Sequence, residues 1–226
     1  MFVFFDIGST LVDGPDKGPA KRLAECLELP GKMRDSLNDF LFHSLLSGPQ
    51  ALAEHLVSQC NVEPELAAST SSTLWENQIL ESRVIPGAKN VLHDLRSNGV
   101  PYAFVSNIWV PFYQGFEQLF KEEINGRHCF LSFELGISKP DKTIYEVALA
   151  RLSLKPHEVV MVGDTYENDI APVMTMGMKT IWVLRRPDKE QQSIIKVING
   201  RLPAPNYTLG SMEHLDRNIL DSLTTF

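Results

Sequence analysis

Four short apolar runs constrain this chain more than anything else in it: FVFF (2–5), PYAFV (101–105), EVVMVG (158–163) and KTIWVL (179–184). Each is rich in aromatic or β-branched residues without polar alternation, the pattern of a strand buried on both faces. Stretches with helical spacing lie between them. PGAKNVLHDLRSNG (86–99) sets Val91, Leu92 and Leu95 at helical intervals and stops at Gly99. KPDKTIYEVALARL (139–152) places Ile144, Val147, Ala148 and Leu152 on one face. Strands alternating with helices predict an α/β fold, a doubly wound parallel sheet with helices on both sides.

The stretch from Gly14 to about Ile85 breaks this rhythm. It contains no convincing strand and four amphipathic segments, around 19–29 (Leu23, Leu27), 31–46 (Met33, Leu37, Phe40, Leu41, Leu45), 49–60 (Leu52, Leu56) and 64–80 (Leu66, Leu74). Pro30-Gly31, Gly48-Pro49 and Pro64 separate them. The spacing predicts a helical bundle, residues 15–85, inserted into a sheet domain made of 1–14 and 86–226. Asp13-Gly14-Pro15 and Ile85-Pro86-Gly87 are its natural hinges. After Leu184 the chain opens on Arg185-Arg186-Pro187, passes Pro203 and Pro205, and reads as a last helix over 211–223. No obvious chemistry marks this tail.

A length of 226 residues suits one such core with an insertion, large enough to fold without disulfide or metal staples. The net charge of −7 argues against unspecific nucleic-acid binding but permits an anionic ligand in a locally cationic pocket. Cys26, Cys60 and Cys129 cannot all pair and lack zinc-ligand spacing, which points to a reducing compartment and a cytoplasmic protein. The opening MFVFF has no basic region before it meets Asp6, so it does not read as a secretory leader. No apolar run is long enough for a membrane helix. Nothing in the sequence sets the oligomeric state.

In open α/β sheets, ligands sit beyond the carboxyl ends of the strands. Polar residues collect there in this chain. The first run ends in Asp6, the second in Ser106-Asn107, and the third in Gly163-Asp164 with Asp169 five residues on; Ser138-Lys139-Pro140 leads into the helix that follows. One carboxylate, one hydroxyl, one lysine and an acidic pair thus reach the same rim. Singly, each has a simpler reading as a helix cap, a turn former or a solvated side chain. Together those readings lose force, because caps have no reason to recur with this set of side chains.

Here the chain resembles the haloacid dehalogenase superfamily. The family's four motifs match in order as DIGST (6–10), SN (106–107), SKP (138–140) and GDTYEND (163–169), with IPGA before the second and GMKTIWV after the fourth. The resemblance implies a Rossmann-like core, with the helical insert as a type I cap. It implies Mg²⁺ held by Asp6, the backbone carbonyl of Gly8 and Asp164, with Asp169 binding through water or orienting its neighbours. Asp6 would be the nucleophile, forming an aspartyl-phosphate that water hydrolyses. Lys139 would keep Asp6 ionised and neutralise transition-state charge. Ser106, the Asn107 backbone and the loop through Ser9 would bind phosphoryl oxygens, and Thr10 would brace that loop. The implied activity is hydrolysis of a small phosphorylated metabolite.

The departure is at Gly8. Typical phosphatases of the family carry there a second Asp that moves a proton to the leaving oxygen and takes one from water. Such catalysis contributes about 10²–10⁴-fold. A glycine can offer a carbonyl to a metal but cannot move a proton, and Ser9 has too high a pKa to substitute. Three readings stay open: a phosphatase for substrates with good leaving groups, a dehalogenase- or phosphonatase-type hydrolase, and a non-enzymatic module binding a phosphometabolite or partner. The retained GDTYEND pair disfavours a dehalogenase, and no cap lysine (Lys17, Lys21, Lys32) stands out for a phosphonatase. His43 and His55 read as ordinary helix residues, Trp75 and Phe40 as cap packing, and Arg185-Arg186 as a solvated loop that could steer phosphate.

Overall fold

The structure, a computed structural model, describes residues 1–223. Strand β1 (Phe2–Phe5) leads to the short β2 (Val12–Asp13) and four helices, α1 (Pro19–Cys26), α2 (Gly31–His43), α3 (Pro49–Cys60) and α4 (Pro64–Leu80). The chain returns through β3 (Arg83–Val84) and α5 (Ala88–Ser97) to β4 (Tyr102–Ser106), α6 (Val110–Leu119) and α7 (Lys121–Ile124). Then come β5 (Cys129–Leu131), α8 (Ser132–Leu135), α9 (Thr143–Leu152), β6 (Val159–Gly163), α10 (Ala171–Met176) and β7 (Lys179–Val183). Helix α11 (Gln191–Ile198), β8 (Tyr207–Leu209) and α12 (Arg217–Ser222) finish the described chain.

The main sheet runs β5-β4-β1-β6-β7-β8, every pair parallel. All four apolar runs are strands in it. β1 lies at the centre, with Phe5 opposite Phe104 of β4 on one side and Val162 of β6 on the other. The pleat sends successive side chains to opposite faces. Val3 and Phe5 therefore join one buried layer with Phe104, Val162 and Leu92, while Phe4 joins the other with Val105, Met161 and Ile144. The centre of a sheet covered on both faces is the least deformable place in such a fold, and it ends in Asp6.

The insertion is helical as expected: α1 packs on α2, α3 on α4, and α4 on α6 of the sheet domain. Leu23, Leu37, Leu41, Leu52, Leu56 and Leu74 are buried. Leu45 and Leu66 correct the expectation, at 70% and 48% exposed, because Leu45 lies beyond the end of α2 and Leu66 on the outer side of α4's first turn. A further correction concerns strands. β2 and β3 pair antiparallel, Val12 opposite Val84 and Asp13 opposite Arg83, and tie the two ends of the insertion together. Two residues are too few to show a period. The edge strands β5 and β8, three residues each, escaped for the same reason. The single helix expected over 211–223 is a 3₁₀ turn (Met212–His214) followed by α12, which starts afresh where the Asp216 carboxylate accepts the Ile219 N–H. Among the described residues, no helix is long and apolar enough to cross a membrane.

Candidate active site

The carboxyl ends of β1, β4 and β6 and the loop before α9 converge on Asp6. Its Oδ1 accepts hydrogen bonds from Lys139 Nζ at 2.6 Å and from Ser106 Oγ at 2.9 Å, and its Oδ2 from Thr10 Oγ1 at 3.3 Å. Lys139, 4% exposed, also donates to Asp169 Oδ1 at 2.6 Å and to the Val105 carbonyl at 3.0 Å. Its three ammonium protons are thereby all directed. The Asn107 side chain holds Lys139 by the backbone, with Nδ2 donating to the Lys139 carbonyl at 2.7 Å and Oδ1 accepting its N–H at 2.8 Å. This side-chain clamp comes in addition to the expected role of the Asn107 backbone, and its signal is only the polar residue beside Ser106.

Asp164 and Asp169 complete the group. Asp164 follows β6, and its Oδ2 accepts from Arg186 Nε at 3.1 Å and from Nη2. Asp169 enters from the helical turn Tyr166–Ile170, where Thr165 N donates to its Oδ2 at 3.0 Å. The turn comes so near β6 that a Cβ on Gly163 would lie 2.4 Å from Asp169 Cβ, so only glycine fits at the end of that strand. Gly8 is different: a Cβ there would meet only Phe112 Cε1, at an ordinary 3.5 Å. Ser9 lines the same space at φ +60°, a left-handed conformation that favours glycine.

The site is electrically tight. Burial alone would depress the Lys139 ammonium, but the carboxylates of Asp169 and Asp6 outweigh it and hold its pKa above the ordinary lysine value. Burial pushes Asp169 and Asp164 above the ordinary carboxylate range, and repulsion from Asp6 adds to it, despite the cations they bond. Each of Asp6, Asp164 and Asp169 offers an oxygen within 4.8 Å of the others'. Three hard oxygen donors, buried and repelling one another, suit a small divalent cation. Asp164 Oδ1, whose one bond is from Thr165 Oγ1 at 3.3 Å, stays open to it.

These residues form the floor of a cavity of about 580 Å³, to which Gly8 also contributes. The upper wall was not anticipated. Gln78 of α4 in the insertion lines it together with Trp109 and Phe112 at the start of α6. Arg185 and Arg186 correct the reading of a solvated loop: both line the cavity, Arg185 paired with Asp13 of β2 and Arg186 with Asp164. Position two and three residues after the buried β7 was the signal available. His43 bonds Asp39 within its own helix and His55 stacks on Phe40, and neither lines this cavity.

The model of the haloacid dehalogenase-like hydrolases matches residues 1–172, from the strand that bears Asp6 through the acidic pair. The chain is 32% identical over 135 residues to ribulose-1,5-bisphosphate 5-phosphatase of Halopiger xanaduensis, 58% of this chain and 54% of that protein. It is 26% identical over 197 residues to glyceraldehyde 3-phosphate phosphatase of Pyrococcus furiosus, 80% of this chain and 79% of that one. The chain thus spans about half the length of the first and four fifths of the second. In fold it superposes on a 2-haloacid dehalogenase from Pseudomonas syringae pv. tomato with a TM-score of 0.65, at 17% identity and 98% coverage of both chains. With its motifs in sequence order at the carboxyl ends of one parallel sheet, this chain belongs to the haloacid dehalogenase-like hydrolases.

Proposed function

We propose that the protein is a Mg²⁺-dependent phosphatase acting on a small phosphorylated metabolite through an aspartyl-phosphate on Asp6. The observation that carries the reading is the buried Asp6 carboxylate held by Lys139, Ser106 and Thr10 on the floor of a cavity. Named phosphatases among the relatives support the substrate class. Asp6, Asp164 and the Gly8 carbonyl would hold the ion, with Asp169 beside them; when bound it supplies the positive charge that lets one anion approach another.

The chain's own residues then do the following. Lys139 holds Asp6 in place while Asp6 attacks phosphorus and the ester P–O bond breaks. Lys139 and Ser106 are placed to move their hydrogen bonds from Asp6 to the phosphoryl oxygens as charge builds there. The leaving oxygen takes its proton from solvent, since Gly8 has none to give. Water then cleaves the acyl-phosphate, releasing phosphate and restoring the Asp6 carboxylate. Residues 15–85 act as a cap that closes about the paired β2 and β3, excluding water and choosing the substrate. Free thiols at Cys26, Cys60 and Cys129 support a cytoplasmic setting.

The test is a panel of small phosphoesters assayed with and without Mg²⁺, beside Asp6→Asn. Metal-dependent phosphate release, lost in Asp6→Asn by about 10⁴-fold or more, is the expected outcome. Activity indifferent to the metal moves the protein to dehalogenase-type chemistry, and silence on every ester moves it to a binding module.

A further inference from the structure

Among the described residues, the buried side-chain polar atoms without a hydrogen-bond partner are Ser71 Oγ, Gln78 Nε2 and Arg185 Nε. Two of these three belong to residues lining the cavity over Asp6. Gln78 is the more telling. It lies on α4, 3% exposed, and its Oε1 accepts from Trp109 Nε1 at 3.1 Å. An indole nitrogen can only donate, so this bond settles which end of the amide is oxygen and turns the NH₂ away from Trp109. Trp109 is itself immobilised, 1% exposed and packed edge-on against Trp75, whose own indole donates to Gln114. The freed NH₂ lies against Gly14, where a Cβ would come within 3.3 Å of Nε2, so the hinge glycine keeps the space before it clear. A buried amide donor, fixed in direction and left without an acceptor, is costly unless a ligand supplies one.

We propose that Gln78 is a specificity-determining residue, donating a hydrogen bond to an oxygen acceptor on the alcohol portion of the substrate, with Arg185 Nε as a second donor to the same portion. The inference rests on the phosphatase reading and deepens it. Both open groups are donors. The substrate class is therefore a phosphoester whose alcohol carries hydroxyl, carbonyl or carboxylate oxygen, in preference to a plain alkyl or aryl phosphate. A site built to donate to such an oxygen discriminates against a substrate lacking it, because the donor would stay buried and unpaired.

Gln78→Met removes the donor at similar length. Gln78→Glu keeps the oxygen that Trp109 needs and replaces the NH₂ by another oxygen. Each variant is compared with the unaltered protein on glycerol 3-phosphate, 3-phosphoglycerate and phenyl phosphate, with Mg²⁺. We expect kcat/KM on the better oxygenated ester to fall about three- to tenfold in Gln78→Met, chiefly through KM, with phenyl phosphate within about twofold; in Gln78→Glu, whose carboxylate repels every phosphoester, the oxygenated ester should fall further than phenyl phosphate by the same factor. A purely structural role predicts that Gln78→Glu keeps the unaltered protein's preference among the esters, and that result overturns the proposal. So does an equal loss on all three esters, or no loss on the oxygenated ones. Absence of turnover on every ester removes the phosphatase reading and this inference with it, whereas turnover with equal losses removes this inference alone.

Discussion

The floor and the upper wall of the cavity are built on opposite principles. On the floor every side-chain oxygen of Asp6, Asp164 and Asp169 accepts a bond, and Lys139 spends all three of its protons. On the wall, Gln78 and Arg185 each keep a donor open. A network of buried charges tolerates little incompleteness, since one missing partner leaves another charge uncompensated. A recognition surface must stay incomplete until its ligand arrives. Under the proposed function, the contrast would give chemistry to the sheet and choice of substrate to the insertion and the loop after β7.

The largest effect that could break this division is at Gly8, the one floor position where the chain lacks a reacting group. A side chain fits there, with only Phe112 in ordinary contact. Gly8→Asp should raise turnover of alkyl phosphates by about 10²-fold or more, toward the usual contribution of a general acid. On the proposed mechanism the unaltered protein would accumulate an aspartyl-phosphate, and Gly8→Asp should drain it, read by acid-quench trapping of labelled phosphate on the protein. A well-folded Gly8→Asp with unchanged turnover would mean that leaving-group protonation is already served from the wall, and the division would fail.

Lys139 tests completeness itself. Lys139→Met strips the cation that, among the described residues, bonds both Asp6 and Asp169 and leaves two buried carboxylates facing each other. A loss of about 3–5 kcal/mol is expected in denaturant unfolding without metal, partly restored by MgCl₂. A loss below about 1 kcal/mol would show that the floor is less tightly interlocked than its hydrogen bonds indicate.

The same contrast explains how much was legible in the sequence. Asp6, Ser106 and Asp164 could be found because buried parallel strands are continuous apolar runs, and the first polar residues after each run mark the rim; Lys139, at the entry to a helix, and Asp169, five residues past Asp164, were singled out beside them. The resemblance added roles to positions already singled out. Gln78 gave no such sign. It sits within PELAASTSSTLWENQIL, read as amphipathic on Leu66 and Leu74, a reading the structure corrects because its apolar residues hardly favour one side; Gln78 becomes a cavity residue only because α4 packs on α6 and brings it to Trp109, 31 residues away. Arg185 was visible but misread, since its partner Asp13 is 172 positions distant. Sequence pattern reports what an element buries against its own sheet. It is silent on which side chains two elements bring together across a hinge.

Arg186 offers the smallest and sharpest test, because it belongs to both regions: it lines the wall and bonds a floor carboxylate, with its side chain 33% exposed. Its guanidinium neutralises part of the charge that would otherwise attract a cation to Asp164. Removing one partly solvated positive charge at this range changes the cation's binding by about 0.5–1 kcal/mol, or two- to fivefold. Arg186→Gln should therefore tighten Mg²⁺ binding by that factor in a calorimetric titration without substrate. The opposite sign has an equally definite meaning. If Arg186→Gln weakens Mg²⁺ binding, the arginine's chief service is to hold the Asp164 carboxylate in its coordinating orientation. It would then belong to the floor, and the boundary between chemistry and recognition would run between two adjacent residues, Arg185 and Arg186.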